Sequence, residues 1–332
     1  MKHIIALDAD GGDYAPRELV KGAAEAAEEY NVDIALLGKK TILDMLVRRY
    51  AKNCTLSIIE TSQTIGCHER PTAAIRNKPD SSIVVGTHMV KDGTASAFVS
   101  AGNTGAVLTA AYLNLKRLEG ILRPALCSII HSSEATNPIL LIDAGANADC
   151  QPGFLVQFAE LGSIFAKAFI GIEAPRIALL NNGEEEIKGN TLIRESYQLL
   201  KQTPLNFIGN IEGQEIMTGK TDVIVTDGFT GNIVLKTMEG FSDIFQDLME
   251  IGQSYKVDQH LQGSALVNYM DFTSTVKRLD YKEYGGACLL GVNGNIVVAH
   301  GRSQSKAIKN AINLAHQIIE TKIVEAINHS YN

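Results

Sequence analysis

Short β-branched runs that stop at small polar residues, each followed by a segment with helical periodicity, recur along almost the whole chain. This alternation limits the fold more than any other feature, because parallel strands need crossovers long enough to hold a helix. The runs "HIIALDA", "DIALLG", "LSIIE", "AFVSAG", "ALCSII", "PILLIDAG", "IALLNNG", "DVIVTDG" and "NIVVAHG" predict strands. In "PRELVKGAAEAAEEY", Pro16 suits the first helical turn and Leu19, Ala23, Ala26 and Ala27 share one face. The segment "SKAIKNAINLAHQIIETKIVEAINH" predicts one long surface helix. The expected class is α/β with a mostly parallel sheet.

No composition break or low-complexity linker divides the 332 residues, so one domain over 1–332 is expected. The stretch 251–282 breaks the rhythm with mixed polar and apolar residues and predicts a helical excursion, bounded at about 236–282. A formal charge of -7 and no long basic run argue against nucleic acid as a partner. An anionic substrate must then be met by local donors. Cys54, Cys67, Cys127, Cys150 and Cys288 are scattered, with no C-x-x-C pair, as reduced thiols in a cytosolic chain would be. The N-terminal "MKHIIALDADGG" fits a first strand better than a secretion signal, and no run of about 18 apolar residues predicts a membrane span.

Five strand ends run into loops of Gly, Asn, Asp and Thr: "DADGGDYAP", "SAGNTGA", "DAGAN", "NNGEEEIKGN" and "TDGFTGN". In parallel α/β sheets such loops are where ligands bind. Gly102-Asn103-Thr104-Gly105 and Gly228-Phe229-Thr230-Gly231 share the pattern G-x-T-G, each before a helix. Glycine there permits positive φ and close approach, threonine caps or donates, and the helix N-terminus favours phosphate. One such turn is ordinary turn chemistry; five at five strand ends are not. The P-loop and dinucleotide fingerprints are both missing.

Read in order, these loops carry a resemblance. "IALDADGGDYAP", "AIRNKPDSSIVV" with "SAGNTGA", "LLIDAGANADC", "LLNNGEEEIKGN", "DVIVTDGFTGNIVLKTMEG" and "EYGGACLLGVNG" followed by "AHGRS" resemble the bacterial phosphate acyltransferases over almost the whole chain. Asp10 stands where that family usually has Met, Tyr14 where it usually has His, and 254–279 is poorly matched. The resemblance implies a Rossmann-like α/β/α sandwich similar to the isocitrate and isopropylmalate dehydrogenase type and to phosphotransacetylases. It also implies a homodimer, no cofactor, no required metal, and transfer of a long-chain acyl group from acyl-carrier protein to inorganic phosphate. The acyl phosphate would then pass to a membrane glycerol-3-phosphate acyltransferase.

Phosphate dianion is already nucleophilic near neutral pH, so positioning and charge stabilisation can carry such a reaction without a covalent intermediate. No G-x-S-x-G elbow contradicts that. The residues expected to act on the reacting groups are Lys188, from "IKGN", Asn232 and His300. His300 suits protonation of the departing thiolate or phosphate binding, although a lone strand-end His is more often structural. Phosphate and acyl contacts are expected from Gly11, Gly12, Asp13 and Ser100 in the early loops, and from Gly102, Asn103, Thr104 and Gly105 in the first G-x-T-G. Asp143, Asn147 and Asn190 add to these, as do Asp227, Gly228, Thr230 and Gly231 of the second G-x-T-G. Lys236 is a further candidate, with a structural ion pair as its alternative. The aspartates, Asp8 included, are expected chiefly to orient loop N–H groups, since bare carboxylates would repel phosphate.

Carrier proteins are acidic, so a locally basic docking face is expected, with Lys116, Arg117 and Arg123 or Lys277, Arg278 and Lys282 as its alternatives. Leu266, Val267, Tyr269, Met270 and Phe272 form an apolar tip for dimer packing or for peripheral contact with the bilayer. The competing functions are a short-chain phosphate acyltransferase using acyl-coenzyme A and a non-catalytic phosphate or lipid binder. A decarboxylating dehydrogenase would need an arginine cluster and metal-binding aspartates on one helix, and neither is present.

Overall fold

The computed structural model describes residues 3–132, 138–254, 283 and 285–331. Its eleven strands form one sheet: β1 (Ile4–Asp8), β2 (Asp33–Gly38), β3 (Leu56–Glu60), β4 (Ala97–Ser100), β5 (Ala125–Ile130), β6 (Ile139–Ile142), β7 (Ile177–Leu180), β8 (Phe207–Ile211), β9 (Val223–Val225), β10 (Gly286–Leu290) and β11 (Asn295–Ala299). The spatial order is β3-β2-β1-β4-β11-β10-β5-β6-β9-β7-β8. All nine strand runs read from the sequence are present. β8 and β10 are additional: "FIGNI" and "GACLL" carry glycines that dilute the strand signature, and Gly209 sits at φ +103° where β7 and β8 shift register.

The helices are α1 (Arg17–Tyr30), α2 (Lys40–Tyr50), α3 (Pro71–Asn77), α4 (Ser82–Lys91), α5 (Thr104–Leu115), α6 (Pro152–Phe165), α7 (Thr191–Leu200), α8 (Gly228–Ser254), α9 (Ser305–Glu320) and α10 (Ile323–Tyr331). Successive strand residues feed opposite layers, as the period of two requires. In β1, Ile5 and Leu7 join the core under α1, α6 and α9, while Ala6 joins the core under α4 and α5. The result is an α/β/α sandwich whose central strands are buried on both faces.

The expected C-terminal helix and the placement of Pro16 need correction. The C-terminal segment is two helices, because Lys322 takes left-handed backbone, φ +51°, between α9 and α10. Neither is merely a surface helix, since Ile308, Ile312, Ile318 and Ile327 are core residues. Pro16 precedes α1 after a cis Ala15–Pro16 bond and does not begin it. The helix at Pro152–Ile170 is apolar and long enough to cross a membrane, yet Leu155, Phe158, Leu161 and Phe165 are buried in the core. As for the excursion, α8 continues from the strand-end loop to Ser254, and the rest, with the apolar tip at 266–272, lies outside the described residues.

The sheet is parallel except at its centre. β10 is antiparallel to both β11 and β5, and β5 is antiparallel to β6. Two parallel sets, β3-β2-β1-β4-β11 and β6-β9-β7-β8, therefore run in opposite directions. Their loops cannot all open at one edge.

Candidate active site

The first set contributes the loops after β1, β4 and β11, which are tied to one another. Buried Asp8 accepts from Ser100 Oγ at 2.7 Å, and that hydroxyl oxygen accepts from Gly102 N at 3.0 Å. Burial pushes the Asp8 carboxyl up, against hydrogen bonds from Ser82 and Ser100. A Cβ on Gly11 would stand 2.2 Å from Asp8 Oδ2, so the turn closes only around glycine. Gly12, at φ +102°, lies beside Gly301, whose carbonyl accepts from Asp13 N at 2.8 Å.

Asn103 caps α5 by accepting from Ala106 N at 3.1 Å, while its amide donates to the carbonyls of Gly66, Cys67 and Glu69. Gly105 packs against Pro71, 2.6 Å from a hypothetical Cβ. Among the described residues, the N–H groups of Thr104 and Gly105 donate to no protein acceptor. They remain the positive end of α5.

The second set contributes the loops after β6 and β9. Asp143 is completely buried and accepts from the N–H groups of Leu126, Gly145, Ala146 and Asn147, and from Asn147 Nδ2. Burial raises its carboxyl; those bonds oppose the rise. Asn147 Nδ2 also donates to Pro124 O at 2.8 Å. Just before α8, Asp227 accepts from Thr230 N and Thr230 Oγ1, both at 2.8 Å. Gly228 N donates to Asn147 O at 2.8 Å, and a Cβ on Gly231 would stand 2.0 Å from Asp143 O. Gly102, Gly105, Gly228 and Gly231 all keep negative φ. The G-x-T-G glycines thus serve close approach, not left-handed backbone, because each helix start is pressed onto a neighbouring loop.

Seven residues of α8 carry the chain from one loop set to the other. The helix starts where Asn232 would stand 3.5 Å from a Cβ built on Gly145, and crosses β5 and β10 until Glu239 meets His300 after β11. Between α8 and α5 lies a trough of about 170 Å³, floored by Leu126, Ser128 and Ala287 and walled by Thr104, Asn232, Lys236 and His300. Ser303 also lines it, and its buried Oγ has no partner among the described residues.

His300 Nδ1 accepts from Arg302 N at 3.1 Å, which assigns the ring proton to Nε2, 3.1 Å from Glu239 Oε2. The same carboxylate oxygen lies 2.8 Å from Lys236 Nζ. Burial alone would raise the Glu239 carboxyl; hydrogen bonds from His300 and Lys236 outweigh it and hold the group below its ordinary 4.5. Lys236 therefore makes the ion pair considered for it and also faces the trough.

Thr104, Asn232, Lys236 and His300 are thus brought together. Lys188 and Asn190 are not: Lys188 is exposed on the loop after β7, outside the trough lining, and Asn190 caps α7 by accepting from Ile193 N at 2.9 Å. Ser100, Asn103, Asp143, Asn147, Asp227 and Thr230 spend their side chains on loop structure. Glu239 and Ser303 also line the trough and are absent from the residues expected from the sequence. Glu239 left one signal, a carboxylate three residues after Lys236 on a predicted helix. Among the described residues no cluster of three His, Cys, Asp or Glu is placed to hold a metal.

Glu239→Gln should lower turnover roughly 10- to 100-fold, because it frees His300 and Lys236 from one anchor. The pH response has a definite sign. A carboxyl whose folded pKa is depressed adds stability above its unfolded value and loses it as pH falls through the folded value. The native melting temperature should therefore carry a component below pH 4.5 that the Gln variant lacks. Parallel melting-versus-pH curves for the two proteins would contradict this.

Residues 3–326 match the family described as fatty acid synthesis protein. A phosphate acyltransferase of Dehalococcoides mccartyi is 53% identical over 324 residues, 98% of this chain and 93% of that protein. One of Heliobacterium modesticaldum is 47% identical, over 97% of this chain and 96% of the relative. Among solved structures, a phosphotransacetylase from Streptococcus pyogenes superposes with a TM-score of 0.62 at 17% identity, covering 96% of this chain and 94% of that one. That last likeness concerns the fold.

Proposed function

The chain belongs to the phosphate acyltransferases of the fatty acid synthesis protein family, and from that premise we propose how it moves an acyl group to phosphate. The donor is a long-chain acyl thioester of acyl-carrier protein, and the products are acyl phosphate and the free thiol. The carrying observation is the single trough where the α5 N-terminus, Asn232, Lys236 and His300 meet.

Inorganic phosphate sits between the Thr104 and Gly105 N–H groups and Lys236, with the Ser303 hydroxyl as an added donor. A phosphate oxygen attacks the thioester carbonyl, the Asn232 amide stabilises the oxyanion, and the carbon–sulfur bond breaks. Hydrogen phosphate loses its proton and the thiolate gains one, so no outside acid is consumed. His300 Nε2, held by Glu239, is placed to relay that proton. Lys188 contributes from the neighbouring loop, with a smaller effect than Asn232.

The test is direct. The protein is incubated with phosphate and either long-chain acyl-carrier protein or acyl-coenzyme A, and acyl phosphate is trapped with hydroxylamine. Hydroxamate from the carrier-bound donor is expected; product from short-chain acyl-coenzyme A alone would favour the short-chain reading.

On the same proposal the enzyme works in the cytoplasm, as a homodimer, and passes acyl phosphate to a membrane glycerol-3-phosphate acyltransferase through peripheral membrane contact. The exposed stripe of Phe229, Ile233, Phe241, Ile244 and Leu248 on α8 supports pairing, since each of these side chains is at least half exposed. Sedimentation velocity at micromolar concentration should show the dimer; a monomer there removes this part.

A further inference from the structure

The trough does not end at the reacting groups. Three of the elements that line it also line a second groove, of about 300 Å³, a few residues further along. On α5 the lining passes from Thr104 to Leu108, on β10 from Ala287 to Leu289, and on the loop after β6 from Ala144 to Ala146. Two strand residues advance about 7 Å and four helical residues about 6 Å, so the two cavities lie end to end over the same sheet face.

The second groove differs in character. Its walls are Leu108, Tyr112, Leu113 and Leu289, and its outer rim carries Arg76 and Arg123. Arg117 lies beside it, over the Tyr112 ring at 5.9 Å. Among the described residues, no ion pair uses any of these three arginines. The chain as a whole carries -7, so this is a local reversal of sign. Tyr112, Leu113 and Leu122 are 39%, 51% and 47% exposed among them. Arginine interleaved with aromatic and aliphatic side chains is the composition of a protein interface, broader than a nucleotide needs.

We infer that this groove is the donor's entrance: the acyl chain and thioester arm lie along Leu108, Tyr112 and Leu113, and the acidic carrier protein docks on Arg76, Arg117 and Arg123. The inference rests on the proposed reaction for its donor. A charged rim on a carrier site sets encounter and orientation more than chemistry. An apolar inner wall selects for chain length.

The test uses the double variant Arg76→Glu/Arg123→Glu, both positions being exposed, and Thr72→Trp, which narrows the groove from the surface of α3. Anisotropy of labelled acyl-carrier protein measures docking without any turnover. The double variant should weaken that binding by about tenfold or more and raise KM for the carrier-bound donor equally, while kcat/KM for an uncharged acyl-N-acetylcysteamine thioester stays within about twofold. Thr72→Trp should depress long-chain thioesters about tenfold and spare acetyl thioesters, an effect of lost pocket volume. Equal losses on both donors, an equal loss on acyl-coenzyme A, or no change in carrier binding would overturn the inference. So would a change of oligomeric state in the double variant, which would make the face a contact between copies. If the native protein binds carrier and the double variant does not, but no thioester yields acyl phosphate, the proposed reaction fails and the docking face stands.

Discussion

Gly231→Ala is expected to destabilise the protein by about 3 kcal/mol or more and to abolish activity, because the added methyl cannot be placed. Its Cβ would lie 2.0 Å from the carbonyl oxygen of Asp143 and 3.0 Å from Thr226 Cγ2. Relief would require α8 to lift from the loop after β6. That loop cannot follow, since the Asp143 carboxylate holds four backbone N–H groups and the Asn147 amide. Gly240, on the same helix, has nothing within 4 Å of a hypothetical Cβ. Gly240→Ala should accordingly stabilise by about 0.5–1 kcal/mol through helix propensity. Urea unfolding of the two variants separates a steric account from a general intolerance of α8. Native stability in Gly231→Ala would refute the close contact.

Asn232→Ala is expected to lower kcat by about 10²–10³, the range for losing one preorganised oxyanion donor, with the melting temperature unchanged. Its side chain is exposed and lines the trough, so truncation removes little packing. Lys188→Ala should lower turnover by less, about tenfold, because that ammonium is exposed and outside the trough lining, where solvent screens its charge. The comparison is informative because both residues stand out equally in the sequence. A larger loss at Lys188 than at Asn232 would move the reacting groups to the loop after β7.

Much of this arrangement is legible in the sequence. Strands such as Ile139–Ile142 and Val223–Val225 are runs that only a doubly covered sheet can bury. The loop residues at their ends were legible too. What local sequence could not convey is the direction of β10: its antiparallel pairing with β11 and β5 depends on partners far away in the chain. That pairing reverses half of the sheet, so strand-end loops that look equivalent split into two groups. Polar loop residues then proved to serve one another first. Asn103 and Asp227, each beside a helix start, are occupied by backbone donors or acceptors, whereas Lys236 and Glu239, inside a helix, face the trough. Helical reach across the sheet, and not loop composition, assembles Glu239 with His300.

The burial of Cys127 and Cys288 follows the same logic. Burial pushes both thiols well above their usual range, so neither is a nucleophile at neutral pH. Cys150 is likewise pushed up to about 12, by burial first, with a hydrogen bond at Gly228 opposing. These three thiols therefore offer no route to a covalent acyl intermediate, which agrees with direct attack by phosphate.

The most direct measurement locates the oxyanion itself. Crystals equilibrated with arsenate, a phosphate isostere with an anomalous signal, should show one peak within hydrogen-bonding distance of Thr104 N, Lys236 Nζ and the trough side of Asn232. A peak on the loop of Lys188 and Asn190, with the trough empty, would contradict the account.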